Sequence, residues 1–554
     1  MDDPTLTHEV FNQSSPLVDV NLFEANLPLR EGLAAHLPAQ AHAAAEDRLK
    51  ALGALAGSAA MQAHARWANV HGPVLRTHDR FGRRIDEVEF HPSYHALMGA
   101  AIAHGLHARP WALGPGAHVE RAAGFMLFTE LEPSVLCPIS MSYAATAALR
   151  GNPAILADWF PRLTSTEYDP RLVVFRDKAG VTMGMGMTEK QGGSDVRANT
   201  TRAHFEGDTP WGRCYRLVGH KWFFSAPMCD AFLVLAQAEA GLSCFFLPRV
   251  LPDGQRNALR IQRLKDKLGN KANASSEVEF TGAQAWLVGE EGRGVPQILE
   301  MGTLTRLDCA LGTTGLMRQA LSLALHHARQ RQAFGRALVQ HALMRNVLAD
   351  LALESEAATA LSLRLARAFD RQDDPYEALM RRVLTPVAKF WICKRGSGFA
   401  QEAMECLGGN GYVEEGGEGV MARIYREMPL NSIWEGAGNI MALDLLRVLQ
   451  RVGPSVREAV ASELEPLKAA HPVADAARAR VLDCMGDAVD EHDARRLAQE
   501  LALVVQAALL RRHAPDFVFD AFIASRLGDF HHLCYGSLPA AVDVEGLLQR
   551  ALPA

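Results

Sequence analysis

Between Arg30 and about Arg176, apolar residues recur at helical spacing in a stretch rich in Ala, Leu and His. Breaks at Gly72-Pro73, Pro110, Pro133 and Pro153 divide it, and the spacing predicts a helical domain over residues 31–180. The pattern changes over 181–291. There "CYRLVGHKWFFSAP", "AFLVLAQA", "LSCFFLPR" and "SSEVEFTGAQAWLV" are short apolar or alternating runs separated by Gly, Pro and Asp, which predicts an antiparallel β-domain. Helical spacing returns over 292–452 in long segments such as "LGTTGLMRQALSLALHHARQRQAF" and "MRNVLADLALESEAATALSLRLARAFD". Gly453-Pro454 then breaks the pattern, and an Ala- and Arg-rich helical extension fills 453–554. Residues 1–30 lack either period and read as an arm that packs on something else, such as another subunit. The fold class is therefore mainly α with a central antiparallel β-domain.

Composition narrows the function classes. At 554 residues, 48% hydrophobic and 22% charged, the chain has ordinary globular composition and length for more than one domain. A formal net charge of -6 exerts no global pull towards nucleic acid or anionic membranes. Nine cysteines with no CxxC pair fit a reducing compartment and predict no metal site. The start "MDDPTLTHEV" has no apolar core of a secretory signal, and "LALVVQAALL" at 501–510 is too short to span a membrane between Glu500 and Arg511. These features predict a cytoplasmic protein without a membrane partner.

The stretch "MGMGMTEKQGGSDVRA" at 183–198 is the first candidate for chemistry. Gly184, Gly186, Gly192 and Gly193 let backbone N–H groups approach a ligand, and Thr188 and Ser194 supply hydroxyls. It has neither P-loop order nor dinucleotide spacing, and it leads into strands. It suits the edge of a planar heterocycle and a bridging phosphate, or else is a glycine-rich hairpin. HExxH is absent, and Ser194 in "GGSDV" is not a GxSxG nucleophile.

Three further motifs change that balance: "GHKWFFSAP", "RQRQAFGRAL", and "ECLGGNGYVEE" followed by "ARIYREMPLNSIWEGAGNIMALDLLR". With "GMTEKQGGSDVRA" they resemble the two signatures of the acyl-CoA dehydrogenase family of flavoproteins, over about residues 120–450. The N-terminal "VFNQSSPLVDVNLF" and "RLKDKLGN" extend the resemblance to the family's DNA alkylation-response branch, over nearly the whole chain. The resemblance implies the acyl-CoA dehydrogenase fold with an extra C-terminal helical domain. It also implies a homotetramer that binds FAD and shares cofactor contacts between subunits.

Residue by residue, the resemblance places Met185, Gly186, Met187, Thr188, Gly193 and Ser194 along the flavin. Phe223, Phe224 and Ser225 cover its edge, with Ser225 near N5. Arg331 reaches the FAD pyrophosphate across a subunit interface, and Gly408 and Gly409 face the adenine half. Ile433, Trp434, Gly436 and Asn439 complete the cofactor site, and Arg306 and Asp308 lie near the CoA moiety. Glu435 stands at the position of the base that removes the thioester α-proton. A carboxylate doing this needs a water-poor pocket that raises its pKa; a glutamate there could also merely favour a helix N-terminus. Two departures bear on turnover: Phe223 stands where a tryptophan is usual, and Ala342 where a glutamine is common.

The same resemblance implies double-stranded DNA binding by the C-terminal extension. Residues 451–554 hold 11 Arg+Lys against 15 Asp+Glu, a net of -4, whereas a DNA-binding domain is usually basic. Arg495-Arg496 and Arg511-Arg512 lie 16 positions apart on one predicted helix, roughly 24 Å. They could grip phosphates or form salt bridges with neighbours such as Asp490, Glu491 and Asp493. The reading is an FAD-dependent oxidoreductase acting on a short or branched acyl-CoA with an unassigned electron acceptor. The alternative is a DNA-protection protein whose flavin is structural or acts on alkylation damage.

Overall fold

A computed structural model describes residues 5, 7–114, 116–485, 489–528 and 533–551. Its centre is a sheet of seven strands: β1 (Met183–Gly186), β2 (Arg202–Thr209), β3 (Gly212–Ser225), β4 (Ala231–Ala238), β5 (Gly241–Pro248), β6 (Leu259–Leu264) and β7 (Ser275–Val288). The order β1-β4-β2-β3-β7-β5 closes on itself because β5 also pairs with β4, and β6 joins the outer side of β7. Most pairings are antiparallel as the alternating runs predict, but β1 runs parallel to β4, with Met183 opposite Ala231. β4 and the end of β5 are buried without alternation, which explains their continuous apolar sequences.

Helices pack on both sides in chain order. The first group holds α1 (Ala117–Leu131) and α2 (Leu136–Leu149), and it also contains a hairpin, Val74–His78 with Arg84–Glu89. The second group is built on α3 (Gly294–Gln330), α4 (Ala342–Asp370), α5 (Pro375–Glu405) and α6 (Gly438–Val452). α3 is the axis of the molecule, packing against α1, α2, α4 and α5. Gly315 permits that closeness: a Cβ there would stand 2.5 Å from the Met126 carbonyl oxygen of α1. Arg121 of α1 makes a two-pronged ion pair with Asp308 of α3 at 2.6 and 2.7 Å, and its guanidinium lies 3.5 Å from the Tyr143 ring of α2.

The C-terminal extension packs on the same helices. Leu501–Leu510 of α7 (Ala494–His513) are buried against α4 and α5, so the apolar run singled out in the sequence is a core helix. Charged pairs reinforce the seam. Glu463 accepts from Arg364 at 2.9 Å and from Arg512 at 3.0 Å, Arg526 reaches Asp350 at 2.5 Å, and Arg550 reaches Glu356 at 2.7 Å. No described helix is long and apolar enough to cross a membrane.

Candidate active site

The glycine-rich stretch divides into two parts with different reasons for glycine. In β1, a Cβ on Gly184 would meet the Phe232 ring at 2.7 Å and one on Gly186 the Phe224 ring at 2.5 Å. Those glycines admit aromatic rings of the sheet, a packing reason for glycine beside the expected one. The following turn is held by a fully buried ion pair. Lys221 Nζ donates to Glu189 Oε1 at 2.7 Å and to the Leu235 carbonyl at 2.8 Å. The Glu189 carboxylate also accepts from Thr200 N at 2.7 Å and Thr201 N at 3.2 Å. Burial alone would raise the Glu189 carboxyl, but Lys221 and these donors hold it well below the usual carboxylate range. The Trp222 amide donates to the Thr188 carbonyl at 2.8 Å, fixing the turn against β3. Gly193 lies against Thr188, where a Cβ would meet Oγ1 at 2.4 Å.

At the end of β3, Phe224 is buried while Phe223 is 53% exposed, with the Lys265 ammonium 4.7 Å from the centre of its ring. The Ser225 hydroxyl lies 3.4 Å from Ser275 Oγ, which in turn accepts from Lys267 Nζ at 3.2 Å. Burial lowers the Lys267 ammonium to about 8. Lys267 and Ser275 line a cleft of about 460 Å³ that also carries Arg66, Lys271, Arg423 and Arg426.

Glu435 stands in the turn before α6, not in its first helical turn, so the helix-start reading does not describe it. Its φ of 59° lies in the left-handed region, and Gly436 follows at 108°. Such strain in a non-glycine residue persists only where its surroundings enforce it. Here Arg306 Nε donates to the Glu435 carbonyl at 2.9 Å, and Lys389 Nζ donates to the Gly436 carbonyl at 2.5 Å. Arg306 is also paired with Asp444 at 2.9 Å. Thr305 Oγ1 donates to Glu435 Oε2 at 2.5 Å. The residue is half-buried by surface but its carboxyl is closed in among protein atoms. Desolvation therefore raises its pKa, against the opposing pull of Thr305, Lys389 and Arg306.

Cys137 of α2 links the two halves. Burial pushes its thiol up to about 12, and its surroundings include Lys267, Glu435, Asn273 and Ser225. The sequence reading missed Cys137 along with Thr305, Lys267 and Ser275. The neighbourhood of Arg306 in "TLTRLDC" was the available signal for Thr305.

The remaining expected residues fall elsewhere. Asp308 is engaged by Arg121, with both side chains almost fully buried, rather than turned to a substrate. Trp434 Nε1 donates to Asn431 Oδ1 at 2.8 Å, while Ile433 is 62% exposed. Gly408 and Gly409 face open space. Arg331 caps the far end of α3, 26 residues beyond Thr305 or roughly 39 Å along the helix. Arg495 donates to Asn439 at 2.9 Å, so one expected DNA residue pairs with one expected cofactor residue. Arg496 pairs with Asp493 at 3.1 Å, Arg511 with Asp516 at 2.5 Å, and Arg512 with Glu463.

The chain matches three family models in succession: adaptive response protein AidB N-terminal domain at residues 12–170, acyl-CoA dehydrogenase middle domain at 184–283, and acyl-CoA dehydrogenase C-terminal domain at 292–450. It is 53% identical over 448 residues to AidB of Escherichia coli (strain K12), covering 80% of this chain and 81% of that protein. The chain belongs to the acyl-CoA dehydrogenase family. Within it, acyl-CoA dehydrogenase family member 11 of Caenorhabditis elegans is 30% identical over 489 residues, 81% of this chain and 77% of that protein. The crystal structure of C. elegans ACDH-11 in complex with C11-CoA has a TM-score of 0.83 at 26% identity, covering 99% of this chain and 93% of that one. The apo-form of Bd2924 also reaches 0.83, at 30% identity, with 91% and 100% covered. As an acyl-CoA dehydrogenase family member, the chain is an oxidoreductase by kinship.

Proposed function

We propose that this chain is an FAD-dependent acyl-CoA dehydrogenase of the AidB branch acting on a short or branched acyl-CoA. The observation that carries the reading is the Glu435 carboxyl, hydrogen-bonded by Thr305 in a left-handed turn that Arg306 and Lys389 hold in place. The residues present fit a flavin. Phe223 is half-exposed beside the Lys265 ammonium, Ser225 has a hydroxyl 3.4 Å from Ser275, and Gly408 and Gly409 leave room for backbone approach. Bound FAD would accept the β-hydrogen of the thioester with its electron pair.

The chain's own residues do the rest. Glu435 takes the α-proton, and its raised pKa makes it a stronger base than an exposed carboxylate. Thr305 keeps enough of it ionised to act, and Arg306 and Lys389 hold the strained turn that aims it. The product is the α,β-unsaturated thioester. Arg331 lies farther from Thr305 along α3 than an extended dinucleotide reaches, which supports a cofactor shared between subunits of a homotetramer. The ACDH-11 complex with C11-CoA supports a thioester as ligand.

Duplex-DNA binding and a part in the alkylation response follow from the AidB kinship alone. Each of the four arginines expected to meet DNA is paired with an acid or an amide. The deciding experiment is an anaerobic titration of the flavin-loaded protein with isovaleryl-CoA and butyryl-CoA, with Glu435→Gln alongside. Bleaching of the flavin band in the native protein and its loss in the variant are expected. A flavin that stays oxidised with both thioesters would remove Glu435 as a base for those substrates and leave the DNA reading to be tested by salt-dependent binding.

A further inference from the structure

The arm before the first helix lies on its own chain, across the end of α3 that carries Arg331. Asn12 has a φ of 55°, a left-handed conformation that asparagine tolerates better than most residues. Its side chain makes a closed pair with the backbone of Gln332. Gln332 N donates to Asn12 Oδ1 at 2.7 Å, and Asn12 Nδ2 donates to the Gln332 carbonyl at 2.9 Å. The next residue bridges to the diglycine turn, where Asn410 Nδ2 donates to Gln13 Oε1 at 3.3 Å. Ser15 N anchors the segment to Gln330 Oε1 at 2.7 Å.

The Arg331 guanidinium donates to the Asn12 carbonyl, and no carboxylate pairs with it among the described residues. It is a part-buried cation with a fixed orientation and spare N–H donors. Around it the surface is open: Phe334 is 96% exposed, Tyr412 76% and Phe11 77%. Gly408 and Gly409 leave space on the side tied to Gln13. A preset guanidinium, two bare glycines and exposed aromatic faces form a receptor for a pyrophosphate joined to a planar base.

We propose that Asn12 and Gln13 are positioning residues for that receptor, holding Arg331 and the Gly408–Gly409 turn in register for the adenosine-diphosphate half of FAD. The proposal rests on the flavin reading above. Asn12 acts through Arg331 and not on the flavin ring, so its effect depends on whether the ligand has a pyrophosphate.

The test compares FAD with FMN, which lacks the adenosine monophosphate half. Full-length protein stripped of flavin is titrated with each, following quenching of flavin fluorescence, for the native chain, Asn12→Ala, Arg331→Ala and the double variant. Each single substitution is expected to weaken FAD binding by about tenfold, the worth of one hydrogen bond, and to leave FMN binding unchanged. The double variant is expected to bind FAD no worse than Arg331→Ala, because both changes remove one linked contact. Equal weakening of FAD and FMN by Asn12→Ala would mark a general structural role and overturn the proposal. So would an Asn12→Ala variant with native FAD affinity beside a weakened Arg331→Ala, or strictly additive losses. If Arg331→Ala itself keeps native FAD affinity, the receptor is not a cofactor site, and both the proposal and that part of the flavin reading fail. Binding of neither flavin by the native chain would sink the flavin reading as a whole.

Discussion

Replacing Lys221 by methionine removes one member of a pair whose side chains are both 0% exposed. The substitution preserves length and apolar contact but deletes the 2.7 Å bond to Glu189 and the 2.8 Å bond to the Leu235 carbonyl. Glu189 keeps its bonds from Thr200 and Thr201, so it is not wholly stranded. Its buried charge nevertheless loses its counter-ion. Breaking a buried pair from one side costs about 3–5 kcal/mol. Removing both charges in a Lys221→Met/Glu189→Gln variant, which keeps an acceptor for the Thr200 and Thr201 amides, should recover part of that loss.

The pH dependence follows from the sign of the shift. Native Glu189 is held below the ordinary carboxylate range, so its stabilising contribution is complete at neutral pH and fades as pH falls. Without Lys221 the carboxyl takes up a proton more readily. The gap between native and Lys221→Met proteins should therefore be widest at pH 7 and close under acid. A chain of several domains has no single unfolding constant, so the measure is hydrogen exchange in urea, read on peptides from β1, β3 and the turn between Met187 and Ala198. Lys221→Met within about 1 kcal/mol of native at pH 7 would refute the account of the clamp.

Four other outcomes are expected. Thr305→Val removes the donor to Glu435, so the acidic limb of the rate profile for flavin reduction should move to higher pH; an unmoved limb would separate Thr305 from the base. Arg121→Met strands Asp308 and should lower stability by about 3–5 kcal/mol with little change in thioester KM, whereas a raised KM in a stable protein would return Asp308 to the substrate. Arg496→Ala with Arg511→Ala should leave both folding and any duplex-DNA affinity unaltered, as checked by thermal melting and by salt-titrated gel shifts. His36 is buried beside His513 and its pKa is lowered to about 3, chiefly by burial. It stabilises the fold above the ordinary histidine pKa of 6.5 and ceases to do so as pH falls, so His36→Gln should flatten the acid side of the stability profile.

The helix–sheet–helix order was legible because two periods, 3.6 and 2, alternate in long blocks. Glu435 and the β3 end were legible through motifs alone. What escaped was whatever depends on sequence-distant partners. Lys267 and Ser275 read as ordinary strand-edge residues until the Lys267–Ser275–Ser225 chain of contacts is seen. The packing of Gly184 and Gly186 against the rings of Phe232 and Phe224 could not be read from a glycine-rich string. The hairpin at Val74–His78 and Arg84–Glu89 is too short to interrupt a helical pattern averaged over its neighbours. The arginine pairs of α7 could be counted, but only coordinates reveal which acids had already claimed them.

The charged seam under the C-terminal extension makes the chain hard to divide. The extension supplies Glu463 to the buried Arg364, Arg526 to the buried Asp350 and Glu354, and Arg550 to Glu356. A chain ended at Gly453 would take the ion-pair partners of Asp350 and Glu356, while Arg364 would keep Glu377 and Glu354 would keep Arg395. Such a truncation changes the charge state of α4, the helix packed against the axis of the molecule. The loss would therefore fall on Asp350 and Glu356, the two acids of α4 whose ion pairs all come from the extension among the described residues.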